Sequence, residues 1–424
     1  MHHFNYQNNE LYCENLPLPL IAAEVGTPAY IYSHATLVRH FKAFDSAFED
    51  VPHLTCYSVK ANSNLSIIRL FSNMGGGADI VSGGELFRAL KAGVPADRIV
   101  FSGVGKTEEE IRNAIKVDIL MFNVESSQEM TLINSVAQEM GKKARISLRV
   151  NPDIDPKTHP YISTGLKQQK FGIPFEQAVC EYGRAKEMAG LDIAGIDCHI
   201  GSQLTEVSPF TDTIARLLSL MDQLKKHGIE LQYLDLGGGL GVTYRDENPP
   251  EPGEYAKAIR EAVKGFDLKL ILEPGRVLVG NAGILLTRVL YTKPGPGKTF
   301  IIVDAAMNDL IRPSLYNSFH AIQPVNPEDR PEITADVVGP ICESGDFLAR
   351  ERNMPEFEPG ELMAIMSAGA YSYSMSSNYN SRPRPVEILV TEDRYQIIRR
   401  RETHEDLIRG EEIPAFLCKG KQDI

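Results

Sequence analysis

Tyr57-Ser58-Val59-Lys60-Ala61-Asn62 is the stretch from which the fold and the chemistry of this chain can be worked out. Residues 53–59 form a mostly apolar run that predicts a short buried strand ending near Lys60. A single lysine at a strand end is usually solvated and indicates nothing further. Several other predicted strands are also followed by, or carry, chemically useful residues: Asp79, His199, Gly237-Gly238-Gly239 and Glu273-Pro274-Gly275-Arg276.

Strand-like and helix-like segments alternate along the first two thirds of the chain. The predicted strands are 53–59, 77–82, 98–102, 117–123, 144–151, 193–200, 232–236 and 268–273. Helix starts between them carry local signals. Thr107 with Glu110, and Ser126 with Glu129, have the spacing of a capping box. Ser208 predicts an N-cap followed by proline in the first helical position.

This alternation predicts an α/β fold in which a (β/α)8 barrel spans 34–282. The strands are nearly continuous apolar runs, as expected when both faces of a parallel sheet are covered. Eight strand–helix units within about 240 residues match the size of such a barrel, and a helix over 34–49 would complete its outer ring. A doubly wound open sheet is the alternative. It usually has fewer strands, and no GxGxxG motif follows the first strand.

The pattern changes after Gly283, where β-like runs are separated by turns rich in proline and glycine, such as 293–297. The runs are 284–291, 299–303, 333–338, 362–366, 386–390 and 395–399. They predict a second, mostly β domain over 283–424. A strand near 29–32 would join it, so 1–33 is assigned to the same domain.

Composition limits the possible partners and location. The chain has 424 residues, and its net charge of −12 argues against a nucleic acid or an anionic membrane as partner. The first lysine or arginine is Arg39, and no run of about 20 apolar residues exists to span a bilayer. Six scattered cysteines without CxxC spacing indicate reduced thiols and neither disulfides nor a metal site. We therefore expect a cytoplasmic protein.

The residues at the strand ends together suit pyridoxal 5′-phosphate (PLP). The Gly237–Gly239 run follows the seventh strand, where barrels of this kind often bind phosphate. Lys60 offers an amine for a Schiff base, and Glu273 offers a carboxylate for the ring nitrogen. His199 can stack on the ring, and Asp79 can pair with the lysine ammonium. Structural alternatives remain open: a glycine turn, a Glu–Arg ion pair, a core histidine and a local aspartate turn.

These motifs resemble those of the fold-type III PLP-dependent decarboxylases, and the C-terminal motifs resemble the diaminopimelate decarboxylase family within that group. The resemblance extends from about residue 27 to 418. It rests on the segments at 57–62, 199–202, 237–239 and 273–276, and on Arg312-Pro313-Ser314-Leu315-Tyr316, Cys342-Glu343-Ser344-Gly345-Asp346 and Gly369-Ala370-Tyr371-Ser372-Tyr373-Ser374-Met375-Ser376-Ser377-Asn378-Tyr379-Asn380.

The resemblance implies a role for each site residue. Lys60 would form the aldimine, and Cys342 would donate a proton. The other implied cofactor-binding residues are Asp79, His199, Ser202, Gly237, Gly238, Gly239, Glu273, Pro274, Gly275, Arg276 and Tyr371. The implied substrate-binding residues are Arg276, Arg312, Tyr316, Glu343 and Tyr371. The family forms homodimers with shared sites, so Cys342 and Glu343 would come from the other subunit.

The resemblance also implies a reaction: decarboxylation of meso-diaminopimelate at its D centre, through an external aldimine with PLP, to give L-lysine and CO2. Three alternatives remain. An ornithine or arginine decarboxylase would leave Arg312 without a purpose. An alanine racemase would be expected to place arginine at the ring nitrogen. A non-catalytic PLP-binding protein would lack the β domain, and an inactive relative should have lost Lys60 or Cys342.

Overall fold

Eight parallel strands close into a barrel in the computed structural model, which describes residues 2–154 and 170–417. Each strand pairs in parallel with the next, and the pairing of Leu270 with His53 closes the ring. The barrel strands are His53–Ser58, Gly77–Ile80, Ile99–Phe101, Met121–Val124, Ala144–Asn151, Leu191–Asp197, Tyr233–Asp235 and Lys269–Leu272. The predicted (β/α)8 barrel is confirmed.

Helices follow the barrel strands in turn, and one precedes them. Their bounds are His34–Asp45, Leu65–Asn73, Gly83–Ala92, Glu108–Val117, Ser127–Glu139, Ala178–Lys186, Ser208–Lys226, Pro252–Ala262 and Arg276–Val279. Short 3-10 turns lie at Ser46–Phe48, Val59–Ala61, Ala96–Arg98, Phe175–Gln177 and Gly280–Ala282. A two-residue strand, Ile173–Pro174, pairs in parallel with the end of the fifth barrel strand.

The fourth barrel strand begins later than predicted. The sequence predicted it from residue 117, but helix Glu108–Val117 includes that residue and Asp118 then adopts a left-handed φ of 59°. The prediction was wrong because the apolar residues at the end of this helix and those of the following strand form one nearly continuous run, which a sequence pattern does not divide.

Two predicted helix caps need correction. Val207, and not Ser208, is the N-cap of the helix Ser208–Lys226, so proline lies in its second position. Ser126 accepts a hydrogen bond from the Glu129 backbone N–H as predicted. The Glu129 side chain, however, binds the N–H of Glu125 instead of closing the box. The capping box at Thr107 is complete.

The inside of the barrel has an apolar layer and a polar layer. Residues two apart in a strand point to the same face, so an inward-facing apolar residue is followed by a second inward-facing residue nearer the strand's end. Buried apolar side chains form the lower layer: Leu54, Cys56, Val100, Leu120, Met121 and Ile271. Buried polar side chains form the upper layer: Ser58, Asp79, Ser102, Asn123, Ser147, Arg149, Asp197, Asp235 and Glu273. Polar chemistry is therefore concentrated at the carboxyl ends of the strands.

A second sheet follows the barrel. Its strands are Gly283–Gly295, Lys298–Val303, Ile322–Pro324, Glu332–Val338, Phe347–Pro355, Leu362–Ile365, Val386–Thr391 and Arg394–Arg399. The N-terminal strand Ala29–Ser33 lies within this sheet, antiparallel to Gly283–Gly295 and parallel to Val386–Thr391. A mostly β region at the C-terminal side is thus confirmed.

Some features of this region differ from the prediction. The predicted turn at 293–297 is mostly strand, because Gly283–Gly295 pairs with Lys298–Val303 through a turn of only two residues. The strand Phe347–Pro355 was missed because it carries three consecutive charged residues, Arg350-Glu351-Arg352.

The N-terminal end adds a small three-stranded sheet of Phe4–Gln7, Glu10–Cys13 and Leu16–Pro17, followed by the helix Leu18–Val25. Short helical segments lie at Arg312–Tyr316, Tyr373–Met375, Tyr379–Ser381, His404–Leu407 and Ala415–Leu417. None of the helices in the described parts of the chain is long and apolar enough to cross a membrane.

Candidate active site

Lys60 lies in the 3-10 turn Val59–Ala61, directly after the first barrel strand. Its Nζ donates a hydrogen bond to Asp79 Oδ2 at 2.7 Å, and the Asp79 carboxylate is fully buried. Burial disfavours charge on the amine, but the carboxylates of Asp79 and Glu273 outweigh it and raise the pKa of Lys60. The two carboxylates therefore favour the protonated form of the Lys60 amine.

The predicted cofactor-binding residues surround one cavity at the carboxyl end of the barrel. Aromatic residues Phe44 and Tyr255 also line it. The predicted residues that line it are Lys60, His199, Ser202, Gly237, Gly238, Gly239, Glu273, Pro274, Gly275, Arg276 and Tyr371. Asp79 reaches the same site through its bond to Lys60. One tertiary arrangement thus gathers residues that are separated by more than three hundred positions in the chain.

The glycine run after the seventh strand is required by close approach of the backbone. A Cβ on Gly238 would lie 2.3 Å from the carbonyl oxygen of Glu273, and one on Gly237 would lie 2.6 Å from His199 Nδ1. The N–H of Gly237 donates to Asp235 Oδ1 (2.9 Å), and the N–H of Gly238 donates to His199 Nδ1 (3.2 Å). Both amides are therefore already used within the protein, and the Gly238 bond joins the loop after the seventh strand to His199 after the sixth. Any phosphate here would depend more on other donors.

His199 is held as a neutral imidazole. Its Nδ1 accepts the hydrogen bond from Gly238, which leaves the ring proton on Nε2. Burial, followed by the positive charges of Arg149 and Lys60, lowers the pKa of His199 well below its usual value. A neutral flat ring at this position suits stacking on an aromatic cofactor.

Glu273 follows the eighth strand and lies among other buried carboxyl groups. Its Oε1 is 3.3 Å from Asn123 Nδ2, while oxygen atoms of Asp197, Asp235 and Glu273 lie within 4.8 Å of one another. Burial, and then the charges of Asp235, Asp79 and Asp197, raise the pKa of Glu273 well above its usual value. Burial raises the pKa of Asp235 to about 7. A protonated ring nitrogen beside Glu273 would offset this crowding of negative charge.

Two buried arginines lie next to this cavity, and Tyr244 lies between them. Arg276 Nη1 donates to Tyr244 Oη at 2.8 Å, and its Nη2 donates to Ser202 Oγ at 2.9 Å. The guanidinium of Arg312 lies 4.6 Å from the centre of the Tyr244 ring. Burial raises the pKa of Tyr244, but the charges of Arg276 and Arg312 outweigh it and lower the pKa overall. The pair makes this wall of the site strongly positive.

A hydrogen bond to the buried His320 holds Arg312 in position. The Nη1 of Arg312 lies 2.9 Å from His320 Nε2, and His320 Nδ1 lies 2.9 Å from the carbonyl oxygen of Met366. Since a carbonyl only accepts, Nδ1 carries the proton and Nε2 accepts from the guanidinium. Burial, together with Arg312, lowers the pKa of His320 to about 3, so the ring is neutral. Sequence reasoning missed both His320 and Tyr244, because neither belongs to a recognisable local pattern.

Asp235 was also missed, although its position immediately before the predicted glycine run was a usable signal. Four of the predicted catalytic and substrate-binding residues do not line the cavity of this chain: Arg312, Tyr316, Cys342 and Glu343. Cys342 is exposed, and its backbone N–H donates to Asn380 Oδ1 at 2.8 Å. The roles assigned to these residues stay predictions.

The residues present fit PLP. Lys60 supplies the amine, and the buried Asp79 Oδ1 has no hydrogen-bond partner in the described structure. The Gly237–Gly239 loop lines the same cavity as Lys60. Ser202 Oγ and the Arg276 guanidinium supply polar groups suited to a phosphate.

Comparison with known proteins gives the same family. Residues 34–280 match the family model described as pyridoxal-dependent decarboxylase, pyridoxal binding domain. The chain is 52% identical to diaminopimelate decarboxylase of Pseudomonas aeruginosa over 410 residues, which cover 97% of this chain and 99% of the relative.

Solved structures agree. Diaminopimelate decarboxylase of Helicobacter pylori complexed with L-lysine is 45% identical, with a TM-score of 0.90 and coverage of 92% of this chain and 98% of that chain. The enzyme of M. jannaschii in co-complex with L-lysine is 38% identical, with a TM-score of 0.92 and coverage of 98% and 100%. The chain therefore belongs to the diaminopimelate decarboxylase family of PLP-dependent enzymes, which are carboxy-lyases.

Proposed function

We propose that this protein decarboxylates meso-diaminopimelate at its D centre and releases L-lysine and CO2, the last step of lysine biosynthesis. The observation that carries the proposal is a pair of buried arginines: Arg276 lines the cavity that holds Lys60, and Arg312 lies beside it on the ring of Tyr244, the residue that Arg276 also binds. Diaminopimelate has a carboxylate at the end that does not react. A guanidinium can grip such a carboxylate with two parallel hydrogen bonds.

Bound PLP supplies an electrophilic carbon for amines and a ring that takes up the electron pair left when CO2 departs. Glu273 would accept a hydrogen bond from the ring nitrogen and keep it protonated. His199 would pack against the ring face. Ser202 and Arg276 would bind the phosphate, beside the Gly237–Gly239 loop. Lys60 would hold the cofactor and, by taking it back from the product, allow release.

We also propose that a second copy of the chain completes the site. Cys342 would donate the proton that replaces the departing carboxylate, and Glu343 would bind the substrate's distal ammonium. Both residues are absent from the lining of their own chain's cavity, and Cys342 is exposed. This placement supports a homodimer in which each subunit delivers them to its partner.

We further propose a division into a PLP-binding barrel at 34–282 and a β-rich domain made of 1–33 and 283–424. The pairing of Ala29–Ser33 with Gly283–Gly295 supports this division. The proposed location is the cytoplasm, which the free Cys13, Cys56 and Cys198 support. The net charge of −12 supports the absence of a nucleic-acid partner.

The test measures L-lysine and CO2 after purified protein is incubated with PLP and meso-diaminopimelate. The Arg312→Ala variant should lower kcat/KM for diaminopimelate by about tenfold to a hundredfold, as expected for about 1.4–3 kcal/mol of lost charge-assisted hydrogen bonding. Arg394→Ala, at an exposed site, is the matched control and should have little effect. Faster turnover of ornithine than of diaminopimelate by the native protein would contradict the proposal.

A further inference from the structure

A second cavity lies beside the active site and is lined by arginines. Its volume is about 350 Å³. The two cavities share two chain segments. Lys60 and Tyr371 line the active site, whereas Ser63 and Tyr373 line the second cavity. Nothing in the reaction proposed above uses this second cavity.

The second cavity has a surplus of positive charge. Its lining includes five arginines: Arg88, Arg384, Arg399, Arg400 and Arg409. Two carboxylates, Glu402 and Asp406, also line it. A third carboxylate, Glu387, is fully buried and binds Arg399 from behind. Five guanidinium groups therefore face three carboxylates in a chain whose net charge is −12.

The arginines differ in how well they are paired. The carboxylate of Asp406 is shared by the two arginines at the rim, Arg400 and Arg409. Arg384 is 3.7 Å from Glu402, and its buried Nε has no hydrogen-bond partner in the described structure.

Arg88 is the least satisfied. Its Nη1 donates to the carbonyl oxygen of Ser63 at 3.1 Å, and it forms no ion pair with any carboxylate in residues 2–154 or 170–417. Burial, followed by the charge of Arg399, lowers the pKa of Arg88, so these two guanidinium groups repel each other. An anion between them would remove that repulsion.

We propose that this cavity binds a small multivalent oxyanion of the phosphate class. Guanidinium groups bind phosphate oxygens with two parallel hydrogen bonds, and several of them together favour a multiply charged anion. Ser63 lines the same cavity, and its hydroxyl group can add a neutral donor. The volume of about 350 Å³ leaves room for a group larger than one phosphate.

Anion binding in this cavity would stabilise the contact between the two segments that carry Lys60 and Tyr371. The backbone N–H of Tyr371 donates to the carbonyl oxygen of Ala61 at 2.8 Å, and Ser374 Oγ donates to the same oxygen at 3.3 Å. An anion held by Arg88 would link the 61–63 segment to the 373–376 segment from the other side. Bound anion should therefore raise the melting temperature of the holoenzyme.

The test is calorimetric titration of the PLP-saturated holoenzyme with inorganic pyrophosphate at constant ionic strength. We expect one site per chain, with the absorbance of the bound cofactor unchanged during the titration. Arg88→Gln and Arg384→Gln should each weaken binding at least about tenfold, the effect of losing one charge-assisted hydrogen bond. Arg394→Gln, which lies outside the cavity, should not. Arg88→Lys keeps the positive charge but loses the planar guanidinium that can donate two parallel hydrogen bonds, so it should give an intermediate affinity.

Several outcomes would overturn the proposal. These are no binding, equal binding by native protein and Arg88→Gln, equally tight binding of citrate, or release of PLP during the titration. If acidic groups of a second copy fill the cavity instead, pyrophosphate will not bind and Arg88→Gln will shift the monomer–dimer equilibrium. None of these results depends on lysine formation, so the proposal and the decarboxylase assignment can fail separately.

Discussion

Replacement of His320 tests whether this residue positions Arg312 or only fills space. In the native protein, Nε2 accepts from Arg312 and Nδ1–H donates to Met366. His320→Asn places an amide where Nδ1 lies, so the bond to Met366 can persist while Arg312 loses its acceptor. His320→Gln places an amide near Nε2, so the acceptor for Arg312 can persist while Met366 loses its donor.

Each variant leaves one buried polar group without a partner, which costs about 1–3 kcal/mol. Thermal or denaturant unfolding should therefore show similar losses of stability for the two variants. Binding of substrate should differ, because only His320→Asn frees the guanidinium of Arg312. We expect KM for diaminopimelate to rise by about tenfold to a hundredfold in His320→Asn, with kcat nearly unchanged.

Steady-state kinetics on both variants, with unfolding curves as the control, separate the two roles. His320→Gln should keep KM within about threefold of the native value, since a change of about 0.6 kcal/mol in binding corresponds to that factor. Equal increases in KM for the two variants would refute the positioning role and leave His320 as a structural residue only.

The same histidine gives a pH dependence of known sign. Burial and Arg312 lower the pKa of His320 to about 3 in the folded protein, whereas the unfolded chain has a value near 6.5. Between these values only the unfolded chain binds the proton, so stability falls as the pH falls below about 6.5. The contribution at pH 5 is about 2 kcal/mol. The difference in stability between pH 7 and pH 5 should be smaller by about this amount in His320→Gln.

Three further predictions concern the cofactor and the assembly. Borohydride reduction of the holoenzyme should attach PLP to Lys60, and peptide mapping that finds it on another lysine would contradict the assignment. Gly238→Ala should lower stability by about 1–3 kcal/mol and weaken PLP binding, because its Cβ would lie 2.3 Å from a backbone oxygen. Gly105→Ala, with open space around it, is the control and should change stability by less than about 0.5 kcal/mol. Mixed Lys60→Ala and Cys342→Ala dimers should regain activity after subunit exchange, whereas background activity after demonstrated exchange would exclude shared sites.

The barrel strands show how much of the fold the sequence pattern could predict. The strands were predictable because an apolar run reports local burial. The ends of the strands were less predictable. The sixth strand was predicted to end at residue 200, whereas in the structure the strand ends at Asp197. That difference places His199 in the connection after the strand, where it can accept a hydrogen bond from Gly238.

Sequence alone determined the barrel and the family, and it drew attention to the lysine-bearing segment at 57–62, because each was recognised from short runs of neighbouring residues. Only the tertiary structure determined how the two arginines are held. Arg276 meets Tyr244 across 32 positions and Ser202 across 74, and His320 meets Met366 across 46. Spacing in the sequence does not specify such contacts, because they depend on where separate loops meet above the barrel. The same physical reason hid the arginine-lined cavity, whose residues come from both the barrel and the second sheet.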